Sequence, residues 1–408
     1  MSTNSHRPSV TELRLSAFKS HRGASFPLGP LTLLAGPSGS GKSSVLEALG
    51  VLGQLAAGEE LEAVFDGVRG GVAACVPDGA QPDAEGRRGF RIGCTVSGPV
   101  GPVQLDVAVQ TEPELRIVGE RLVGVGETLL STALRDPGRR QVQAAWYTAG
   151  LVPVTRAPLP DDRLATSLLP LRVAGTTDGQ RMVLAAAEQV VLALRGVFPV
   201  DPRPQGMRSP AAVSDGMLRG GCDNLSAVLR RTQGECRTRH AALVGALREV
   251  CRPPVEGLTV VPGARLDPGP DSVLAAIDRG PFGLVPVDRL GDGELRFLAL
   301  ALVLLTGPGV LEVDTSGEVP DAVQVLTVLA DGLDAGLDRA QSRKLLDLAW
   351  QVAERGHIRL VGTVHDETVA EGAEGVTLLR LGVPAEDRER VPVQGTGPDA
   401  ERTDAAMR

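Results

Sequence analysis

Apolar and polar residues alternate from Thr11 to Phe26, with a turn signal at His21–Gly23, a pattern that predicts a strand or hairpin. It leads into Pro30-Leu31-Thr32-Leu33-Leu34-Ala35, an uncharged β-prone run, then a glycine-rich turn, then Ser43–Leu49 at helical spacing. Residues 78–89 are polar and read as a loop, and the alternating stretches 90–96 and 102–109 read as antiparallel strands. Helical spacing predicts helices over Gln180–Phe198 and over Leu225–Cys251, the second with Asp223 as its N-cap, joined through the proline-punctuated connection 201–210. Further on, Val325–Asp331 and Ile358–Val364 are apolar strands flanking a helix over Gln341–Arg355. No heptad run or internal repeat occurs, and the segment from Glu386 is polar, interrupted by Gly and Pro, and reads as a flexible tail.

Composition narrows the class of protein. At 408 residues, 42% hydrophobic and 23% charged, the chain has a globular balance. A net charge of −8 argues against coating nucleic acid or an anionic membrane by bulk electrostatics, while leaving room for a local basic groove. Five widely spaced cysteines with no C-x-x-C pair predict reduced, packed thiols rather than disulfides or zinc. The longest apolar run, Phe297–Leu305, is too short to span a bilayer, and a cytoplasmic location is expected.

Candidate chemistry starts at Gly36-Pro37-Ser38-Gly39-Ser40-Gly41-Lys42-Ser43, a complete G-x-x-x-x-G-K-[ST] between a predicted strand and a predicted helix that continues with Ser44. The glycines let backbone N–H groups turn toward phosphate oxygens, Lys42 reaches the β/γ-phosphates of ATP, and the Ser43 hydroxyl is a Mg²⁺ ligand. Only three of the 42 Lys+Arg residues are lysines, and one stands where this chemistry requires it.

The second half of the chain selects among phosphate-binding folds. Leu290-Gly291-Asp292-Gly293-Glu294 precedes an apolar helix and resembles the L-S-G-G-[QE] signature of ABC ATPases. Val325–Asp331 resembles a Walker B strand whose acid holds Mg²⁺, and Leu333–Asp338 aligns with the D-loop. His365 resembles the family's switch histidine, 27 positions beyond Asp338. With Leu15-Ser16-Ala17-Phe18-Lys19-Ser20 and Asp223–Leu229, the chain resembles ABC-type ATPases of the RecF and SMC kind over nearly its full length.

That resemblance implies an α/β P-loop NTPase with a mixed sheet core, N-terminal antiparallel strands and a helical insertion. Residues 1–115 would form the N-terminal lobe, 116–285 a mostly helical middle, 286–385 the C-terminal lobe and 386–408 the tail. It further implies an ATP-dependent homodimer in which the signature and Asp338 of one copy meet the nucleotide of the other, with His365, Asp331 and Lys42 catalytic. DNA, or a separately encoded nuclease or effector, is the implied partner, in repair, maintenance or defence, with no membrane.

The sequence departs from this family where hydrolysis is decided. The residue after the Walker B aspartate, a glutamate in active members, is Gly332, and the signature serine is replaced by Gly291. Slow hydrolysis and a hydrolysis-deficient ATP-gated clamp both fit. A second alignment puts the Walker B acid at Asp314, 24 positions beyond Leu290 against 41 for Asp331, with 306–322 otherwise an inserted loop whose Asp314 or Glu318 could supply a carboxylate. For the glutamine that links Mg²⁺ to the inserted domain, Gln110 is the first candidate, with Gln104, Gln141 and Gln143 competing. Arginines 230, 231, 237, 239, 248 and 252 form either a DNA-binding face or a solvated one.

Overall fold

A computed structural model describes residues 7–149, 154–263, 271–313 and 324–382. Asp314, Glu318 and the tail 386–408 lie outside the described residues. Two sheets carry the architecture.

The first is an eight-stranded antiparallel sheet ordered β2-β1-β4-β5-β6-β7-β8-β9. It is built from β1 (Ser9–Ser16), β2 (Ala24–Pro27), β4 (Arg88–Ser97), β5 (Val103–Glu112), β6 (Arg116–Gly124), β7 (Glu127–Ala133), β8 (Gln141–Tyr147) and β9 (Val154–Pro160). Alternation along these strands puts one face against α1 (Lys42–Ala57) and α4 (Asp178–Arg195), with α2 (Leu61–Asp66) and α3 (Ala165–Leu168) closing the layer. This corrects the expectation of a helical middle beginning at 116. Glu120–Gly124 and Gln141–Tyr147 alternate buried and accessible positions, so 116–160 extends the sheet, and the helices of the middle are confined to 165–250 among the described residues.

The second sheet is parallel, ordered β10-β15-β16-β3-β17, from β3 (Leu31–Ala35), β10 (Val197–Val200), β15 (Leu326–Ala330), β16 (Ile358–Thr363) and β17 (Val376–Arg380). Every residue of β3 and β15 is buried, which explains why both read as continuous apolar runs rather than alternating ones. β10 lies where a helix to Phe198 is expected. Helix α4 stops at Gly196, which packs so close to the Val325 carbonyl that an added Cβ would lie 2.2 Å from it. The next four residues then pair with β15.

A smaller sheet, β11 (Ala211–Ala212), β12 (Gly257–Pro262), β13 (Ser272–Asp278) and β14 (Leu284–Pro286), packs under α6 (Leu225–Glu235). Helices α5 (Pro204–Met207), α7 (Arg237–Val250), α8 (Asp292–Leu305) and α9 (Arg339–Glu354) complete the fold. The expected helix 225–251 is two helices, because Cys236 adopts φ −145, ψ 86. Its first cap is Asn224, not Asp223. The buried Asn224 amide ties the backbone of Asp215 and Met217, while Asp223 pairs with Arg219. All five cysteines are free, and burial pushes the Cys94, Cys222 and Cys251 thiols up to about 12.

Candidate functional site: a phosphate loop facing Asp331

The P-loop leaves the C-terminal end of β3 and enters α1. Gly36, Gly39 and Gly41 have φ of 144, 82 and 91, conformations that favour glycine, and a Cβ on Gly36 would lie 2.4 Å from the Leu381 carbonyl oxygen. Gly41 caps α1 with no side-chain bond, so the N–H groups of Lys42, Ser43 and Ser44 remain available at the helix N-terminus. The Lys42 ammonium donates to the carbonyls of Gly36 and Pro37, at 2.7 and 3.1 Å, and so stands over the loop. The buried Ser40 hydroxyl has no hydrogen-bond partner among the described residues. His21 braces the loop from outside, its Nε2 lying 3.0 Å from the Gly41 carbonyl oxygen.

Asp331 directly follows β15, and β16 lies between β15 and β3 in the sheet. The Ser43 hydroxyl donates to Asp331 Oδ1 at 3.0 Å, and Thr363 at the end of β16 donates to the same oxygen at 2.6 Å. A hydroxyl and one carboxylate are the hard-oxygen pair that Mg²⁺ takes when phosphate supplies further ligands. Among the described residues no cluster of three or more His, Cys, Asp or Glu competes with this pair. Ser43 and Asp331 fit the ion. The rival run 309–314 does not join the parallel sheet in its described part, since Leu311 bridges Leu218 instead.

Gln110 is not brought to this pair. It sits at the end of β5, donates to the Glu114 carbonyl and lines a separate cleft with Arg88 and Phe90. The segments that do reach Ser43 and Asp331 are the end of β10 with Asp201 and Arg203, and the turn after α2, all around one cavity of about 360 Å³. In that turn Arg69 extends a guanidinium NH2 to 3.8 Å from Asp331 Oδ2. Glu47 on α1 lies 3.8 Å from Arg69 and also pairs with Lys19, which donates in turn to the Arg69 carbonyl. Sequence reasoning missed Arg69, although the Gly70-Gly71 pair beside it, both at positive φ, marks a shaped turn.

The signature-like segment opens α8, whose residues from Leu295 to Leu304 are buried except Arg296. Arg208 donates to the Leu290 carbonyl and pairs with Asp292 at 2.6 Å, and the buried Arg279 pairs with Glu294. Gly291 has open space around it, whereas a Cβ on Gly293 would lie 2.4 Å from the Gly336 carbonyl oxygen, so helix and D-loop touch. Arg296 donates to the carbonyls of Pro202 and Gly332, joining α8 to the end of β10 and to the turn after Asp331. Asp338 caps α9 through a reciprocal bond with Gln341. His365 follows β16, its Nδ1 lying 3.1 Å from Asp334 Oδ1, and Asp334 also accepts the backbone N–H groups of His365 and Asp366.

Residues 12–52 match the family model described as an AAA domain. No curated protein matches the chain. Among solved structures, an SMC head bound to the C-winged helix domain of ScpA is 14% identical, covering 91% of this chain and 94% of its own, with a TM-score of 0.49. An SMC head domain from Thermotoga maritima is 13% identical over 91% and 94%, with a TM-score of 0.41. An Smc head domain with an extended coiled coil, bound to the C-terminal domain of ScpA derived from Pyrococcus furiosus, is 11% identical over 91% and 93%, with a TM-score of 0.38. The P-loop after β3, Asp331 directly after β15 two strands away, and His365 beyond the strand between them form an α/β P-loop NTPase arrangement whose first segment, 12–52, is similar to an AAA domain.

Proposed function

We propose that the protein is an ATP-driven switch. It binds Mg²⁺·ATP at the P-loop, pairs with a second copy around the nucleotide and hydrolyses ATP slowly to release the pair. The observation that carries this reading is the Ser43–Asp331 contact, which joins the two halves of a magnesium–phosphate site at the N-terminus of α1. Ser43 and Asp331 would hold the ion, which would supply positive charge against the phosphates. Around it, Lys42, Arg69 and the α1 N–H groups hold the triphosphate, and Thr363 fixes the carboxylate.

In the paired state the exposed Gly291 edge of α8 faces the nucleotide of the other copy, with its own free N–H groups toward the γ-phosphate. Asp338 caps α9 through Oδ1 and stays exposed, so it can meet the other copy's nucleotide in the paired state. A hydrolysis-deficient clamp is the second reading, favoured by Gly332, which has no side chain to polarise water. The switch acts in the cytoplasm on DNA, or on a separately encoded nuclease or effector, in repair, maintenance or defence. Four of the five free cysteines are buried, and among the described residues no helix is long and apolar enough to cross a membrane.

The reading is tested by titrating ATP with Mg²⁺ into the native protein and Lys42→Ala. Saturable binding that weakens by about 10-fold or more in the variant supports it. Equal binding by both removes the P-loop as the site.

A further inference from the structure

Gly332 leaves the site without the carboxylate that would take a proton from water, and the space it vacates is bordered by an imidazole. A Cβ on Gly332 would stand 3.3 Å from His365 Cε1. We infer that His365, oriented by Asp334, accepts that proton in place of a residue-332 side chain. The inference rests on the ATP-binding reading and assigns the base of its hydrolytic step.

Three observations converge on it. Asp334 is 8% exposed, whereas His365 is 72% exposed, so the carboxylate belongs to the protein interior while the ring faces out. Asp334 accepts the His365 N–H with both oxygens, at 3.0 and 2.9 Å, and the Asp366 N–H at 2.8 Å, which locks the turn carrying the ring. Its Oδ1 then lies 3.1 Å from His365 Nδ1.

The last contact decides the tautomer. An ionised carboxylate has only acceptors, so a neutral ring facing it carries its proton on Nδ1 and leaves Nε2 bare. A bare Nε2 accepts a proton; it cannot donate to a γ-phosphate unless the ring is doubly protonated. A carboxylate held behind an imidazole is also the arrangement by which a histidine base is kept in one tautomer and its cation stabilised.

The step balances without a further reagent. Water oxygen forms a bond to the γ-phosphorus while one water proton passes to His365 Nε2. The bond from γ-phosphorus to the β–γ bridging oxygen breaks, and its electron pair leaves with ADP. Asp334 stabilises the imidazolium and takes no proton, so it is a positioning residue. Of the charged groups, Asp334 faces the ring at Nδ1, Asp366 follows it in the chain with Arg339 of α9 acting on it, and Arg296 of α8 reaches the Gly332 carbonyl beside it. Asp366 is held below the usual carboxylate range by its bonds from Thr368 and stays ionised at neutral pH.

The test is single-turnover hydrolysis of Mg²⁺·ATP from about pH 5.5 to 9, the range in which histidine titrates, with ATP binding measured alongside. Native protein, His365→Gln, Asp334→Asn and His365→Ala with and without added imidazole are compared. The native rate is expected to rise with pH and level off. His365→Gln, which keeps a donor but no base, is expected to bind ATP as the native does and to lose roughly 10²–10⁴ in rate. Imidazole is expected to restore His365→Ala, and Asp334→Asn to lower the rate with binding unchanged.

A native rate that falls as pH rises, or His365→Gln turning over at more than about a third of the native rate, overturns the assignment in favour of a phosphate-donating histidine. Native protein that binds ATP but never hydrolyses it also overturns the assignment, leaving the ATP-switch reading standing. Native protein that binds no ATP overturns both.

Discussion

The Ser43 hydroxyl donates to the Asp331 carboxylate at 3.0 Å across 288 positions of chain. Each residue alone is an ordinary polar group at the end of an apolar strand or the start of a helix. Brought together they form a two-oxygen site for a divalent cation, placed where the α1 dipole favours phosphate. Asp331→Asn keeps the size of the side chain and an acceptor for Thr363, but removes the charge. It is expected to leave metal-free ATP binding nearly intact and to abolish the gain in affinity on adding Mg²⁺, measured by titration calorimetry with and without the metal.

Gly291 is the signature position with open space and backbone φ of −67, so a side chain there is tolerated by the monomer. Gly291→Glu places a carboxylate at the surface that the proposed pairing sets against the phosphates of another copy. The variant is expected to bind ATP as tightly as the native protein and to lose ATP-dependent pairing, read by light scattering. Loss of ATP binding together with pairing would place the signature in the protein's own site instead.

Gly332 has φ of +63 and faces the His365 ring. Gly332→Ala therefore combines about 1 kcal/mol of left-handed backbone cost with a methyl pressed on the imidazole. It is expected to lower the melting temperature by a few degrees and to slow turnover rather than weaken ATP binding. For the same reason Gly332→Glu does not simply restore a catalytic carboxylate.

Arg296 shares one guanidinium between the Pro202 and Gly332 carbonyls, and Asp201 lies 3.6 Å away. Lysine cannot reproduce that planar fork. Arg296→Lys is expected to cost about 1–3 kcal/mol in denaturant unfolding, more than Arg→Lys at the exposed Arg181.

Glu120 is buried against the start of α3, where it accepts the N–H groups of Ala165 and Thr166, yet burial pushes its carboxyl up to about 7. The unfolded carboxyl titrates near 4.5. Between those values the folded state holds more protons than the unfolded one, so this residue's contribution to stability declines as pH rises from about 4.5 to about 7. The melting temperature of native protein minus that of Glu120→Gln is expected to fall across this window and to be flat above it.

Much of the site was legible because its signals are local. The P-loop couples an uncharged strand, three glycines and a lysine within a dozen residues, and chain order alone suggested Asp331 and His365. The parts that escaped depend on pairing between distant segments. Gln110 lies at the right stage of the chain, but β5 pairs with β4 and β6, far from β15 in topology. The segment that adjoins β15 is β10, four residues hidden at the end of an apolar helical run. Arg69 carried no motif, and Asp334 sat inside the D-loop-like segment without being singled out, since what each does comes from Asp331 and His365 lying beside them in space.

In the proposed switch ATP joins two copies of this chain, and solution mass reads that pairing without intermediaries. With Mg²⁺ and saturating ATP, light scattering on Asp334→Asn, slowed in turnover, is expected to report about twice the 42.5 kDa chain mass, and Lys42→Ala to remain at the monomer value. A native protein saturated with ATP that stays at 42.5 kDa, or a mass indifferent to nucleotide and to Lys42, would contradict the account.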